Sequence, residues 1–249
     1  MAVILKKPEM INQQVGWCGG CGHGIVQRLV AECCEELDLV EKTIQVVDIA
    51  CAYWSIDTLN CDGIAGPHGR CAAVATGIKK VLPDSNVYIH AGDGCSYVIG
   101  LAETCYAAQR NVPVTMIVVN NGIFGMTGGQ MCPATTLVGD KTVSSKKGRD
   151  DTVAGEPFDM LNIIQNYPIA YAARGALYDS KHIDETKKML KRGFEYQRDN
   201  KGFSIIEILS PCPTNWKMSP VDAMVKLKEE NEKIFPVKVY VDNGGEQIG

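Results

Sequence analysis

The feature that most constrains this chain is a set of short, unbroken apolar runs, each followed by polar or glycine-rich residues. Thr43–Ala50 (TIQVVDIA), Asn86–Ala91 (NVYIHA), Pro113–Asn120 (PVTMIVVN) and Phe203–Leu209 (FSIIEIL) are rich in β-branched residues. Runs of this kind, continuous rather than alternating, read as strands covered on both faces. Helix-type segments lie around them: Gly24–Leu37, Cys71–Val81, Tyr97–Arg110, Ile183–Arg198 and Pro220–Ile234. The alternation predicts an α/β fold, a doubly wound, mostly parallel sheet with helices on both faces. The 249 residues show no internal repeat and no linker-like break before the last few. Residues 1–249 therefore read as a single domain ending in a helical tail.

In such sheets ligands bind beyond the carboxyl ends of the strands, where the strand order reverses. The residues that follow the four runs are Cys51, then Gly92-Asp93-Gly94-Cys95, then Asn121-Gly122-Ile123-Phe124-Gly125-Met126-Thr127, and finally Ser210-Pro211-Cys212-Pro213. All four ends carry residues capable of chemistry.

Charge excludes several classes of partner. The 25 basic and 29 acidic residues leave a net charge of -4, and no long basic run offers a footprint for nucleic acid or a membrane surface. Val112–Val119, among the longest apolar stretches, is far too short to cross a bilayer. Met1–Pro8 lacks an apolar signal core, so a cytoplasmic location is predicted. Eleven cysteines is a high and odd number, which points to metal ligation or redox work rather than a secreted disulfide framework.

Asp93 and Asn121 stand at neighbouring strand ends and offer two hard oxygen ligands. Mg²⁺ takes one or two such groups and completes its octahedron with waters and substrate phosphates. The carbonyl of Ile123 is a candidate third ligand, and the glycines and Thr127 beyond it offer donors for phosphate oxygens. Either motif alone is common turn chemistry. Separated by one helix and one strand, together they favour a site.

Gly-Asp-Gly followed by Asn-Asn resembles the thiamine-diphosphate fingerprint. The longer stretch NNGIFGMTGGQMCPATT, with AGPHGRCAAVATGIKKVLPD and WCGGCGHG, resembles the thiamine-diphosphate-binding β subunit of 2-oxoacid:ferredoxin oxidoreductases. The likeness runs from about residue 10 to about residue 240. It implies a thiamine-diphosphate-binding domain in which Cys51, His68, Gly69, Arg70, Gly92, Asp93, Gly94, Cys95, Asn121, Ile123, Gly125, Met126 and Thr127 surround the cofactor. It further implies that Asp93, Asn121 and Ile123 hold Mg²⁺, and that His68 contacts the diphosphate or the reacting group. One departure is visible: the family often has Asp where this chain has Cys95.

Cys18 and Cys21 form a Cys-x-x-Cys whose tryptophan and glycines mimic a thioredoxin site. That reading needs a strand just before the motif, and the polar segment Lys6–Gly16 supplies none. Four thiolates suit either a tetrahedral zinc or an iron–sulfur cubane, and the residues alone leave both open. The resemblance implies a 4Fe–4S cluster held by Cys18, Cys21, Cys51 and Cys212. The other seven cysteines read as structural, although Cys61, Cys95 and Cys132 fall near the expected site. His23, His90 and His182 carry no comparable signal.

The activity implied is oxidative decarboxylation of a branched-chain, aryl or dicarboxylic 2-oxoacid to an acyl-coenzyme A, with electrons passed to ferredoxin. The implied partners are a larger α subunit carrying the pyrimidine-binding domain and its glutamate, a γ subunit, and a ferredoxin-like δ subunit or external ferredoxin. Alternatives are a non-redox thiamine-diphosphate decarboxylase or carboligase subunit, a zinc-stabilised structural subunit, and a homodimer whose Glu103 or Glu156 reaches across the two-fold.

Overall fold

A computed structural model describes residues 6–13 and 16–243. Its strands are β1 Thr43–Asp48, β2 Asp62–Gly66, β3 Asn86–Gly92, β4 Thr115–Asn120, β5 Ile123–Phe124, β6 Gln130–Met131, β7 Tyr171–Ala176, β8 Ser204–Leu209 and β9 Lys238–Asp242. Seven form one sheet in the order β2-β1-β3-β4-β8-β7-β9, while β5 and β6 pair as a small hairpin. Every pairing in the large sheet is parallel except that of β9 with β7. The doubly wound α/β fold is as expected. The four expected strands are β1, β3, β4 and β8, and they are consecutive neighbours at the centre.

Alternation along each strand sends side chains to two apolar layers. Val87, Ile89 and Ala91 of β3 join Val46, Val118 and the helix Cys71–Val81 on one face. Tyr88 of β3 joins Ile117, Val119, Phe194 and the helix His23–Glu36 on the other. Strands covered on both sides are largely apolar, and β1, β4 and β8 are buried throughout, Gln45, Asp48 and Glu207 included. These layers fix β1, β3 and β4 in register, so that their carboxyl ends open at one edge. The strand order turns back between β1 and β3, which makes that edge the switch point.

Some expectations are corrected. The helix expected from Tyr97 begins earlier, as a wide turn over Gly94–Ile99 closed by Gly100 N–H to the Cys95 carbonyl at 2.8 Å, before Leu101–Gln109. Wide turns of this type recur at functional sites. The C-terminal region is not only helical: after the helical run from Pro220 to Ile234, β9 adds an antiparallel edge. Cys61 precedes β2 and so lies at the opposite end of the sheet from the switch point. Between Lys6 and Gly16 the described residues make one isolated bridge, Ile11 with Leu59, so the thioredoxin reading gains no strand. Residues 1–5 of the segment read for a signal core lie outside the described residues. Among the described residues no helix is long and apolar enough to cross a membrane.

Candidate cofactor and metal site

A crevice at the switch point is lined by Asp48, Cys51, His68, Gly92, Asp93, Gly94, Cys95, Asn121, Ile123, Phe124 and Gly125, with His23 in its wall. Nine of these were singled out by sequence. Gly69 lies beside them, its N–H donating to Cys95 Sγ at 3.3 Å. The structure does not bring Arg70, Met126 and Thr127 into this lining. Arg70 is drawn onto Glu103 at 2.5 Å and the Ile99 carbonyl at 3.2 Å. Thr127 donates to Gln130 at 2.6 Å, and Met126 is largely exposed.

Asp93 is the centre of the crevice. Its Oδ1 accepts from Gly94 N–H at 2.9 Å, and its Oδ2 accepts from Gly122 N–H at 2.9 Å and from the Thr135 hydroxyl. Burial pushes its carboxyl up to about 6, against the pull of these donors. Every partner is neutral, so the ionised form has no positive neighbour. A buried carboxylate held in place by neutral donors is a donor set that fits a cation. A side chain at position 94 would meet the Phe124 ring at 2.3 Å, so glycine there keeps the backbone close to the carboxylate. Asn121 is nearly buried, its Oδ1 accepting from Ile123 N–H at 3.2 Å while Trp216 Nε1 donates to its carbonyl at 3.1 Å.

Cys18, Cys21, Cys51 and Cys212 converge on one side of this crevice. Burial pushes the Cys21 thiol up to about 12, and Cys212, Cys51 and Cys18 each add to the rise. Cys51 is pushed up to about 11 by burial and then by Cys212 and Cys18. Cys212 is raised by burial and, more weakly, by Cys18. Cys21, Cys51 and Cys212 therefore each feel a neighbouring thiol. A Cβ at Gly125 would stand 3.4 Å from Cys51 Sγ and 3.8 Å from Cys212 Sγ, so the glycine leaves both sulfurs uncovered. The turn is closed by Cys21 N–H to the Cys18 carbonyl at 3.0 Å, with Gly20 at φ 77° between them. Trp17 Nε1 donates to the Cys51 carbonyl at 3.0 Å, tying the N-terminal motif to the end of β1. These four thiols do not pack to within 4.8 Å of one another; among the described residues the ligating set that does is Asp48, Cys71 and Cys95.

His68 shares a 2.7 Å hydrogen bond between its Nδ1 and Asp48 Oδ1. Its imidazole is raised to about 9 by hydrogen bonding to Cys95 and, against burial, by Asp48. Sequence reasoning missed Asp48, Thr135 and Phe124. Asp48 was readable as the acid inside an otherwise apolar strand, and Thr135 as part of the CPATT segment. His23 was set aside, yet it lines the crevice, is lowered to about 4 by burial, and meets His90 at 3.0 Å.

The fold and this site define a thiamine-diphosphate enzyme: residues 47–208 match the family described as thiamine pyrophosphate enzyme, C-terminal TPP binding domain. The chain is 42% identical over 255 residues to the ketoisovalerate oxidoreductase subunit VorA of Methanothermobacter thermautotrophicus, covering 98% of this chain and 53% of that one. It is 35% identical over 213 residues to the 2-oxoglutarate synthase subunit KorB of Archaeoglobus fulgidus, covering 86% of this chain and 75% of that one. A solved 2-oxoglutarate:ferredoxin oxidoreductase from Magnetococcus marinus, with 2-oxoglutarate, coenzyme A and succinyl-CoA bound, superposes with a TM-score of 0.72 at 28% identity. The match covers 84% of this chain and 69% of that one. The chain belongs to the thiamine-diphosphate-binding subunits of the 2-oxoacid:ferredoxin oxidoreductases. It spans about half the length of the VorA relatives.

Proposed function

We propose that this chain is the cofactor- and cluster-binding β subunit of an enzyme that oxidatively decarboxylates a 2-oxoacid to an acyl-coenzyme A and CO₂. The observation that carries the reading is a buried carboxylate without a cationic partner in the crevice, beside a group of four mutually interacting thiols that reaches it through Cys51. When bound, thiamine diphosphate supplies the electron sink for decarboxylation, and a 4Fe–4S cluster accepts electrons singly for a ferredoxin.

Asp93, Asn121 and the Ile123 carbonyl would hold Mg²⁺ and through it the diphosphate. All three offer hard oxygen, as Mg²⁺ requires. Phe124 stands edge-on to His68 with ring centroids 6.2 Å apart and would hold the ring in place. His68 Nδ1 shares a hydrogen bond with Asp48, and with its imidazole raised it would present positive charge toward an anionic ligand. Cys18, Cys21, Cys51 and Cys212 would hold the cluster. Tetrahedral zinc, with Zn–S of about 2.3 Å, needs its sulfurs about 3.8 Å apart. A cubane gives each thiolate its own iron, and the wider spacing of these four supports it over zinc.

A larger α subunit would complete the site with the carboxylate that addresses the pyrimidine ring, and a γ subunit and a δ or external ferredoxin would complete the electron path. No glutamate is among the residues lining the crevice, and Glu103 is engaged by Arg70. Ile49, Tyr53 and Trp54, around Cys51, are exposed apolar side chains that a partner would cover. A cytoplasmic setting suits such a cluster. The substrate's side chain is to be found with a panel of 2-oxoacids and the whole complex.

The test is anaerobic purification, then iron analysis, a visible spectrum and EPR after dithionite. A reduced-cluster signal is expected. Cys51→Ser should cost most of the iron and that signal, because a hydroxyl is a poor soft ligand, while Mg²⁺-thiamine diphosphate still binds. A colourless, iron-free protein, or unchanged iron in the variant, would overturn the cluster assignment.

A further inference from the structure

In the wall of the crevice, and reaching behind it to Cys71, lies a second group of ligating side chains that the proposed function does not use as ligands. Asp48 ends β1, Cys71 opens the helix Cys71–Val81, and Cys95 sits in the first turn of the helical run from Gly94. One carboxylate oxygen and two sulfurs from these residues lie within 4.8 Å of one another. The residues are 0%, 1% and 3% exposed. Asp48 Oδ2 is buried with no hydrogen-bond partner, while Oδ1 accepts from His68. A buried carboxylate with one oxygen orphaned, set beside two sulfurs, is costly unless something positive meets it.

Gly69 N–H already donates to Cys95 Sγ at 3.3 Å, the kind of main-chain contact that orients a metal-bound ligand. Two thiolates and a carboxylate carry three negative charges. A divalent ion and a protonated His68 beside Asp48 would balance them.

We propose that Asp48, Cys71 and Cys95 bind a thiophilic divalent cation of the zinc class, which ties the His68 loop and the Gly94 turn to the end of β1. Two sulfurs disfavour Mg²⁺ and Ca²⁺, which take oxygen, and favour Zn²⁺. The 4.8 Å limit on the ligand atoms accommodates a tetrahedral edge of about 3.8 Å. The fourth position falls to water or to the second carboxylate oxygen of Asp48. Binding displaces one proton from each thiol to solvent and leaves the metal's oxidation state unchanged. The site is separate in chemistry from the hard-oxygen set of Asp93 and Asn121, and it draws on none of the four clustered thiols.

The full chain, purified anaerobically and stripped with a chelator, is given Zn²⁺ alone; zinc and iron are then counted by mass spectrometry and the zinc edge is read by X-ray absorption. We expect about one zinc per chain with a shell of two sulfurs near 2.3 Å and lighter ligands near 2.0 Å. Cys71→Ala and Cys95→Ala should each lower zinc at least tenfold while iron and the reduced EPR signal persist. If either variant fails to fold, the absorption spectrum of the unaltered chain still decides. No zinc uptake, uptake surviving both substitutions, or a shell of four sulfurs (the clustered thiols instead) would overturn the proposal.

Discussion

At the scale of single residues, Asp93 concentrates the most function in the fewest atoms. Three neutral donors aim its carboxylate, and nothing positive answers it. Asp93→Ala removes a hard ligand that water cannot replace in fixed geometry. Calorimetry should show Mg²⁺-thiamine diphosphate affinity falling at least 100-fold, about 2.8 kcal/mol, with the fold retained; near-normal affinity would remove Asp93 from the site. His68 carries a pH signature. Its folded value near 9 lies above the ordinary 6.5 because it hydrogen-bonds Cys95 and, against burial, Asp48. A raised histidine stabilises the fold below about 6.5, and that contribution is lost as pH rises toward 9. The imidazole is partly exposed, so solvent screens the effect. Melting temperatures of the parent and of His68→Asn should differ more at pH 6 than at pH 9.5, and an equal difference at both would contradict the pairing.

At the scale of elements, β7 shows why some strands escape a sequence reading. Tyr-Ala-Ala-Arg-Gly-Ala has neither alternation nor a β-branched run, yet all six residues are buried. The helix Ser180–Arg198 lies so close that a Cβ at Gly175 would stand 2.2 Å from Thr186 Oγ1, which demands small residues there. Arg174 is buried in mid-strand because β8 presents Glu207 opposite it, at 2.9 Å from Nε, and Asp159 meets Nη2 at 2.5 Å. Glu207 also takes hydrogen bonds from Tyr97 at 2.9 Å and Asn120 at 2.8 Å, so the network reaches the carboxyl end of β4, next to Asn121. Arg174→Met leaves two carboxylates without their cation and should cost about 3–5 kcal/mol of stability. Chemical denaturation checks this, and a loss under 1 kcal/mol would show that the ion pairs are expendable. β2 escaped for another reason. It is a short edge strand, Asp-Gly-Ile-Ala-Gly, mostly exposed, and its identity comes from pairing with β1.

At the scale of the whole molecule, the described residues form one doubly wound sheet, and the proposed reading gives the chain one half of a cofactor site. Reconstituted alone with iron, sulfide, Mg²⁺ and thiamine diphosphate, it should bind both groups yet fail to reduce viologen with any 2-oxoacid. Robust reduction without a partner would overturn the subunit reading and favour a homodimer. The sequence by itself determined the central strands β1, β3, β4 and β8, because strands buried on both faces are largely apolar and rich in β-branched residues. It also determined the polar residues at their carboxyl ends, because turns and ligands need residue types that cores reject. Only the tertiary structure decided β2, β7 and β9, whose residues answer to a neighbouring strand or helix rather than to a local period. It alone brought Cys71 to Cys95 and Asp48, turned Arg70 away onto Glu103, and sent Cys61 to the far end. Those outcomes depend on which elements become neighbours, and a one-dimensional pattern of burial does not record neighbours.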